Sequence, residues 1–354
     1  MFDAEVLPMP RLSLVFGLVV SLCLQTGTST EMPPLTMGQV LLWMDSGEES
    51  SRVAQLIERQ GIDFTPTPEF IEQIHQLHAK RALLERLEGS AIKHSPTSSG
   101  DERNVYLHLW HCLQTPVSSA SLLEEAQCQA AESAEPSTAF FALGQRALSA
   151  KQYPAAQQFF RQAIAAAPSL PENHNYLGLA FQRAGDYKAA ETAYREAVRL
   201  DPDYETPVCN LASLFLALND LQRAESYARH AAVMPYSSAM AHHELGLALI
   251  RQSKAREGLA ELRESVRLEP DSAFFHWQLA EMLLAGRVSE LALQEFREAS
   301  RIEPGNIATH ERIFNLLLAL GRGEEALSEC ETLSKLGALK EGKSCKDLVR
   351  AHKK

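Results

Sequence analysis

His242, His276 and His310 stand 34 residues apart, and His174 lies two such steps upstream of the first. A recurrent imidazole is the residue type from which a ladder of metal ions could be built. Geometry argues against it. Neighbouring helices pack with axes ~8–10 Å apart, and zinc–nitrogen bonds are only ~2.0–2.1 Å. Histidines at equivalent places of successive helical units therefore cannot share an ion, and a half-buried amphipathic filler is the reading that remains. A second cluster, "EQIHQLH", sets Glu72 and His75 three apart on one helical face, with His78 in the turn beyond. A metal site needs three or four convergent ligands, and none joins these; His108 and His111 pose the same question and receive the same answer. No metal and no other cofactor is expected.

Nucleophilic and redox chemistry find no better support. The sequence has no Gly-rich phosphate loop, no G-x-S-x-G and no H-E-x-x-H. Its six cysteines, Cys23, Cys112, Cys128, Cys209, Cys330 and Cys345, are irregularly spaced, without a C-x-x-C. Cys112 and Cys128 fall on adjacent helices of one expected hairpin and are the pair to consider for a disulfide; packed free thiols are the favoured state. An enzyme is not expected. Its only place would be the short N-terminal helical segment, which offers no acid–base pair.

The elements behind these residues are helical. Hydrophobic residues make up 45% of the 354 and aromatics only 7%, with abundant Ala, a mix that favours closely packed helices over sheets. A net charge of −11 argues against nucleic acid as partner. The last residues oppose that trend: Lys340, Lys343, Lys346, Arg350, Lys353 and Lys354 meet only Glu341 and Asp347. At the other end, Arg11 precedes "LSLVFGLVVSLCL" (12–24), an apolar run of thirteen residues. That is short for a membrane span of ~20 and suits the apolar core of an export signal, with small residues near Thr28 for cleavage. Asp3 and Glu5 depart from the basic start such signals have; initiation at Met9 would remove them. "VSL" before Cys23 lacks the small residue expected ahead of a lipidated cysteine. Residues 1–30 are thus read as a signal peptide or N-terminal anchor.

The 34-residue interval recurs throughout the second half. Leu143-Gly144, Leu177-Gly178, Leu211-Ala212, Leu245-Gly246, Leu279-Ala280 and Ile313-Phe314 follow it. So do Ala156, Ala190, Ala224, Gly258, Ala292 and Ala326; then Phe160, Tyr194, Ala228, Leu262, Phe296 and Cys330; then Ala163, Ala197, Ala231, Ser265, Ala299 and Leu333. Pro168, Pro202, Pro270 and Pro304 close units, with Pro235 one place early. Each unit reads as two helices. Small residues let the pair approach, the aromatic at the Phe160 place fills the gap to the next unit, and Pro stops the second helix. "AGDY" (184–187) and "ALND" (217–220) are the turns between helices. A lone unit cannot bury its apolar face, whereas stacked units can.

This pattern resembles the tetratricopeptide repeat family, whose period is 34 residues and whose signature spaces Leu-Gly, Tyr, Ala, Phe and Pro in this way. The resemblance implies an all-α fold: a right-handed superhelix, or α-solenoid, preceded by a small helical domain. Six units are placed at 137–340, behind a degenerate capping hairpin at 103–136 and ahead of a C-terminal capping helix at 341–354 with Leu348 and Val349 inward. The rival for that last segment is a basic surface for anionic lipid. Residues 36–92 form the small helical module, similar to one that precedes such repeats in some bacterial proteins, with "GIDFTPTPE" its most characteristic part. Gly47 and Gly61 end its first two helices, Thr67-Pro68 opens the third, and 93–102 is a Ser- and Pro-rich linker.

What the family resemblance implies for function is protein–protein interaction, as scaffold or assembly factor. First helices of successive units would line a concave groove that holds a peptide or partner helix, through the second, fifth, sixth and ninth places. Here those places include Phe141, Asn175, Tyr176, Asn210, His243, Glu244, Trp277, Gln278, Glu281 and Arg312. Asn210, Tyr176, Trp277 and Arg312 lead, because amides hold extended backbones and Tyr, Trp and Arg anchor interfaces; the competing reading packs Tyr176 and Trp277 between helices. Chaperone-binding members clamp a C-terminal carboxylate with Lys and Arg. This chain has Phe141, Gln145, Tyr176, Thr206 and Asn210 at those places, so that ligand is disfavoured. The chain is expected to be exported, periplasmic or secreted, with a membrane-tethered structural adaptor as the alternative if the first helix stays uncleaved.

Overall fold

In the computed structural model, residues 35, 39–40, 44, 50–62, 66, 68–76, 83–84, 87, 136–235, 237–338 and 344–351 are described. The expectations for 1–30, for the linker and the hairpin at 103–136, and for His78, His108, His111, Cys112 and Cys128 lie outside them. The chain divides into two compact units between Ser98 and Ser99, inside the Ser- and Pro-rich stretch.

Two helices are complete in the first unit, α1 (Ser50–Gln60) and α2 (Pro68–Gln76). Gly61 ends α1 with φ +79°, a conformation that costs an L side chain strain, and Pro68 opens α2. Val53, Leu56 and Ile57 of α1 are buried, as are Phe70 and Ile74 of α2. Glu72 and His75 are exposed. An isolated parallel bridge joins Leu35 and Ile62; no strand occurs among the described residues.

In the second unit twelve described helices form six antiparallel hairpins: α3 (Pro136–Ser149) with α4 (Tyr153–Ala166), α5 (Pro171–Ala184) with α6 (Tyr187–Leu200), α7 (Glu205–Ala217) with α8 (Leu221–Ala232), α9 (Ala239–Arg251) with α10 (Ala255–Leu268), α11 (Ala273–Ala285) with α12 (Ser289–Ile302), and α13 (Ile307–Ala319) with α14 (Gly323–Lys335). A last helix, α15 (Cys345–Ala351), packs on α14. This is an all-α solenoid. The hairpins turn at one recurring place, where Lys151, Gly185, Asn219, Ser253, Arg287 and Gly321 all have φ between +56° and +85°. After Gly185, Asp186 caps α6 by accepting from Ala189 N at 3.1 Å.

Side-chain size is traded between the two helices of a hairpin. A Cβ added at Gly144 would lie 2.6 Å from the Phe160 ring, and one at Gly178 would lie 2.6 Å from that of Tyr194. Such an approach is possible only for glycine. Where the third hairpin has Ala212, its partner place shrinks to Ala228, and both are fully buried. In the last hairpin the order reverses, with Phe314 at the glycine place and Cys330 at the place of the aromatic. The sequence assigned the aromatic to the gap before the next unit. The ring does reach that neighbour, with Phe160 5.9 Å from Tyr176, but its first task is to cover the glycine of its own hairpin.

The cysteine expectation needs correction. Cys330 and Cys345 form a disulfide with Cα atoms 5.7 Å apart, and Cys209 is free and buried. The bridge joins α14 to α15 across a separation of 15 residues, which is worth about 3 kcal/mol by loop-closure entropy. It became possible because the anchor aromatic is replaced by Cys in this one unit. Val349 of α15 is buried in the apolar cluster of Leu316, Leu317 and Ala326, so α15 covers the last hairpin.

Candidate interaction face

The recurrent histidines are fasteners. His242 Nδ1 meets Glu261 at 2.8 Å, His276 Nδ1 meets Glu295 at 2.7 Å, and His310 Nδ1 pairs with Glu329, each carboxylate lying on the second helix of the same hairpin. The other ring nitrogen faces back. His276 Nε2 donates to Pro270 O at 3.0 Å, His310 Nε2 to Pro304 O at 2.9 Å, and His174 Nε2 to Pro168 O at 3.1 Å. Each ring thus ties the loop that enters a unit to that unit's own body. At the carboxylate place of the second unit stands Ala193, so His174 lacks that partner type there. These rings are more than filler: they satisfy carbonyls that a closing proline leaves without an intrahelical donor.

The second, fifth, sixth and ninth places of the first helices come together as one line of contacts. The Phe141 ring lies 4.9 Å from that of Tyr176. Asn210 Nδ2 donates to Asn175 Oδ1 at 2.8 Å, and Asn175 Nδ2 donates to Tyr204 Oη at 3.2 Å. His243 lies 5.2 Å from Phe274 between ring centroids. Arg312 Nε stands 2.8 Å from Glu281 Oε1, an ion pair without hydrogen-bond alignment. Trp277 packs edge-on against Phe296 at 6.3 Å.

Depth differs along this line. Phe141, Asn175, His243 and Glu244 are buried; Tyr176, Asn210, Trp277, Gln278 and Glu281 are half-buried; Arg312 is exposed. In the first three units several polar groups are paired, although Gln145 Nε2 and Gln162 Oε1 of the first are buried without a hydrogen-bond partner among the described residues. Ser137 Oγ donates to Ala163 O at 3.0 Å and receives Asn173 Nδ2 at 3.0 Å. Glu205 accepts from Ser238 N at 3.0 Å and Oγ at 2.7 Å, joining the third unit to the fourth. Burial pushes the Glu205 carboxyl above the usual range, and the Ser238 bonds pull it back. Burial likewise raises Tyr194, whose hydroxyl donates to Gln182 Oε1 at 2.6 Å.

The fourth unit concentrates such unpartnered atoms on two adjacent side chains. Both ring nitrogens of His243 and Oε2 of Glu244 are buried without a hydrogen-bond partner among the described residues. His243 Nδ1 stands 3.6 Å from Glu244 Oε1, too long for a hydrogen bond. Among the described residues no group of three His, Cys, Asp or Glu is placed to hold a metal ion, and no helix is long and apolar enough to cross a membrane.

Stacked antiparallel hairpins with a common seam of first helices define an α-solenoid repeat protein. More narrowly, the chain contains tetratricopeptide repeats: models described as tetratricopeptide repeat match residues 171–204, which are the second unit, and 243–307, which span most of the fourth and fifth. Comparison with curated proteins returns no match. Among solved structures, the chain is similar to PilW, described as a widely conserved type IV pilus biogenesis factor, at 17% identity and TM-score 0.50 over 58% of this chain and 95% of that one. It is similar to the Cut9–Hcn1 hetero-tetramer of the APC/C at 14% identity and TM-score 0.53, over 90% of this chain and 63% of that one. PilF of Pseudomonas aeruginosa matches at 19% identity and TM-score 0.48, over 64% and 98%. At these identities the likeness concerns the fold. Tetratricopeptide repeats in general serve protein–protein interaction.

Proposed function

We propose that this protein is an interaction scaffold or assembly factor that holds a peptide or helix of another protein along the seam of its first helices. The observation that carries the reading is the line of contacts itself. It is supported by the half-buried state of aromatic and amide side chains, Tyr176, Asn210, Trp277 and Gln278, at the fifth and sixth places of the first helices. Such amphipathic groups anchor interfaces at low entropy cost. The proposed organisation is a small helical module at 36–92, a linker, a degenerate hairpin at 103–136 and six units at 137–340. We place it outside the cytosol, released or tethered through residues 1–30. The apolar run at 12–24 supports export, and so does the Cys330–Cys345 bridge, because such bonds persist in oxidising compartments. PilW, a type IV pilus biogenesis factor of the same fold, is compatible with that setting.

The test is recovery of partners from the exported fraction on immobilised full-length protein, compared with Asn210→Ala and Trp277→Ala, each checked for an unchanged thermal midpoint within a few degrees. Loss of the same partners from both variants supports the face; full recovery by both would place binding elsewhere. Mass measurement of the mature N-terminus separates released from tethered forms.

A further inference from the structure

The strongest unexplained feature of the molecule is the pair His243 and Glu244. The side chains are 4% and 9% exposed, and neither the two ring nitrogens nor Glu244 Oε2 has a hydrogen-bond partner among the described residues. Stability does not explain them, since burying such groups without partners is unfavourable. Beside them stands Phe274, 45% exposed, its ring against that of His243. An exposed large aromatic beside an unpaired buried imidazole marks a place that something else completes.

The surrounding charge says what. Over the second, fifth, sixth and ninth places, units four to six present Glu244, Glu281 and Glu311 against one cation, Arg312, which already pairs with Glu281. The apolar groups among them are Met240, Leu247, Phe274 and Trp277. We propose that the seam of units four to six takes a basic amphipathic segment of a partner protein, one Lys or Arg of which meets the free Glu244 oxygen while a neighbouring apolar side chain packs on Phe274. This rests on the seam being the binding face and adds the chemistry of its occupant. The Phe274 ring, which lies against His243, offers the exposed apolar surface beside the pair, and His243 gains an acceptor or donor from the segment's backbone. A guanidinium or ammonium against a desolvated carboxylate forms a charge-assisted hydrogen bond, about twice as strong as a neutral one. The aromatic beside it adds a cation–π contact.

The probe is a fluorescein-labelled, end-blocked hexapeptide alternating Phe and Lys, titrated by anisotropy into the full-length protein. Its counterpart replaces Lys by Glu. The Lys peptide is expected to bind at least about tenfold more tightly than the Glu peptide, and Glu244→Gln to weaken it about tenfold, as loss of one charged hydrogen bond requires. Phe274→Ala weakens it as well. Glu324→Gln, an exposed carboxylate on α14, controls for general attraction to an acidic protein and leaves affinity unchanged. Gln keeps the shape of Glu, and an unchanged thermal midpoint excludes misfolding. No binding of the Lys peptide, equal binding of the two peptides, or an equal loss in Glu244→Gln and Glu324→Gln overturns the proposal. The seam reading falls on its own test, partner recovery by Asn210→Ala and Trp277→Ala, so the two failures are distinguishable.

Discussion

Units one to three and units four to six share one backbone plan but use the fifth and sixth places differently. In the first half, Asn175 is buried and serves Tyr204 and Asn210 at once, and Phe141 packs edge-on against Tyr176. In the second half the same places hold His243, Glu244, Trp277, Gln278 and the exposed Arg312, with polar atoms of His243 and Glu244 unpaired. The difference teaches that a repeat fixes where side chains meet and leaves open whether they finish one another or wait for a partner. Fastening is distributed in the opposite sense. The His–Glu pairs occur in units four, five and six, so the half with the incomplete seam carries the additional ties between its helices.

The comparison can be broken most forcefully at Asn175. Asn175→Leu removes two hydrogen bonds at once, those to the Tyr204 hydroxyl and from the Asn210 amide, and urea unfolding should show a loss of about 3 kcal/mol, at about 1.5 kcal/mol for each bond. At His310, substitution by Ala removes the bonds to Pro304 O and Glu329, and a loss of about 2 kcal/mol is expected. The fastening account is wrong if that variant unfolds at the wild-type midpoint. Next is a gain. Arg287 occupies the left-handed turn place with φ +61°, where Gly185 and Gly321 stand in other units. Arg287→Gly should raise stability by about 1 kcal/mol, because the left-handed conformation costs L residues that much; a drop in the thermal midpoint would contradict this.

The smallest effect is electrostatic. Hydrogen bonds from Arg229 and, across units, from Lys254 hold the Glu225 carboxyl down to about 2. A carboxyl lowered on folding contributes stability above the unfolded carboxylate value of about 4.3. That contribution fades as pH falls through the range down to about 2. Glu225→Gln should therefore flatten the acid limb of a stability–pH curve slightly, these being surface groups.

The period of 34 residues was legible because packing demands small side chains at fixed intervals, and the helix pairs from Pro136 to Lys335 recur with it. Depth was not legible. Asn175 and Tyr176 are adjacent and were assigned to one face, yet one is buried in a network and the other half-exposed, since spacing gives direction and not distance from solvent. The His–Glu ties left a signal that went unused: Glu261, Glu295 and Glu329 also recur 34 residues apart, 19 after their histidines. The Cys330–Cys345 bridge left none. It depends on α15 crossing α14, which no repeat of the sequence announces. Nor do Lys151, Ser253 and Arg287 look like left-handed turn residues until they are aligned with Gly185 and Gly321.

One measurement goes to the centre of the matter: the unfolding free energy of His243→Phe against wild type by urea denaturation. If the polar seam of the fourth unit is kept for a partner, an apolar ring beside Phe274 and Phe275 relieves an unpaired buried group, and stability should be unchanged or rise by about 1 kcal/mol. A loss of about 2 kcal/mol or more would show that His243 supports the fold as Asn175 does, and the distinction between the two halves would collapse.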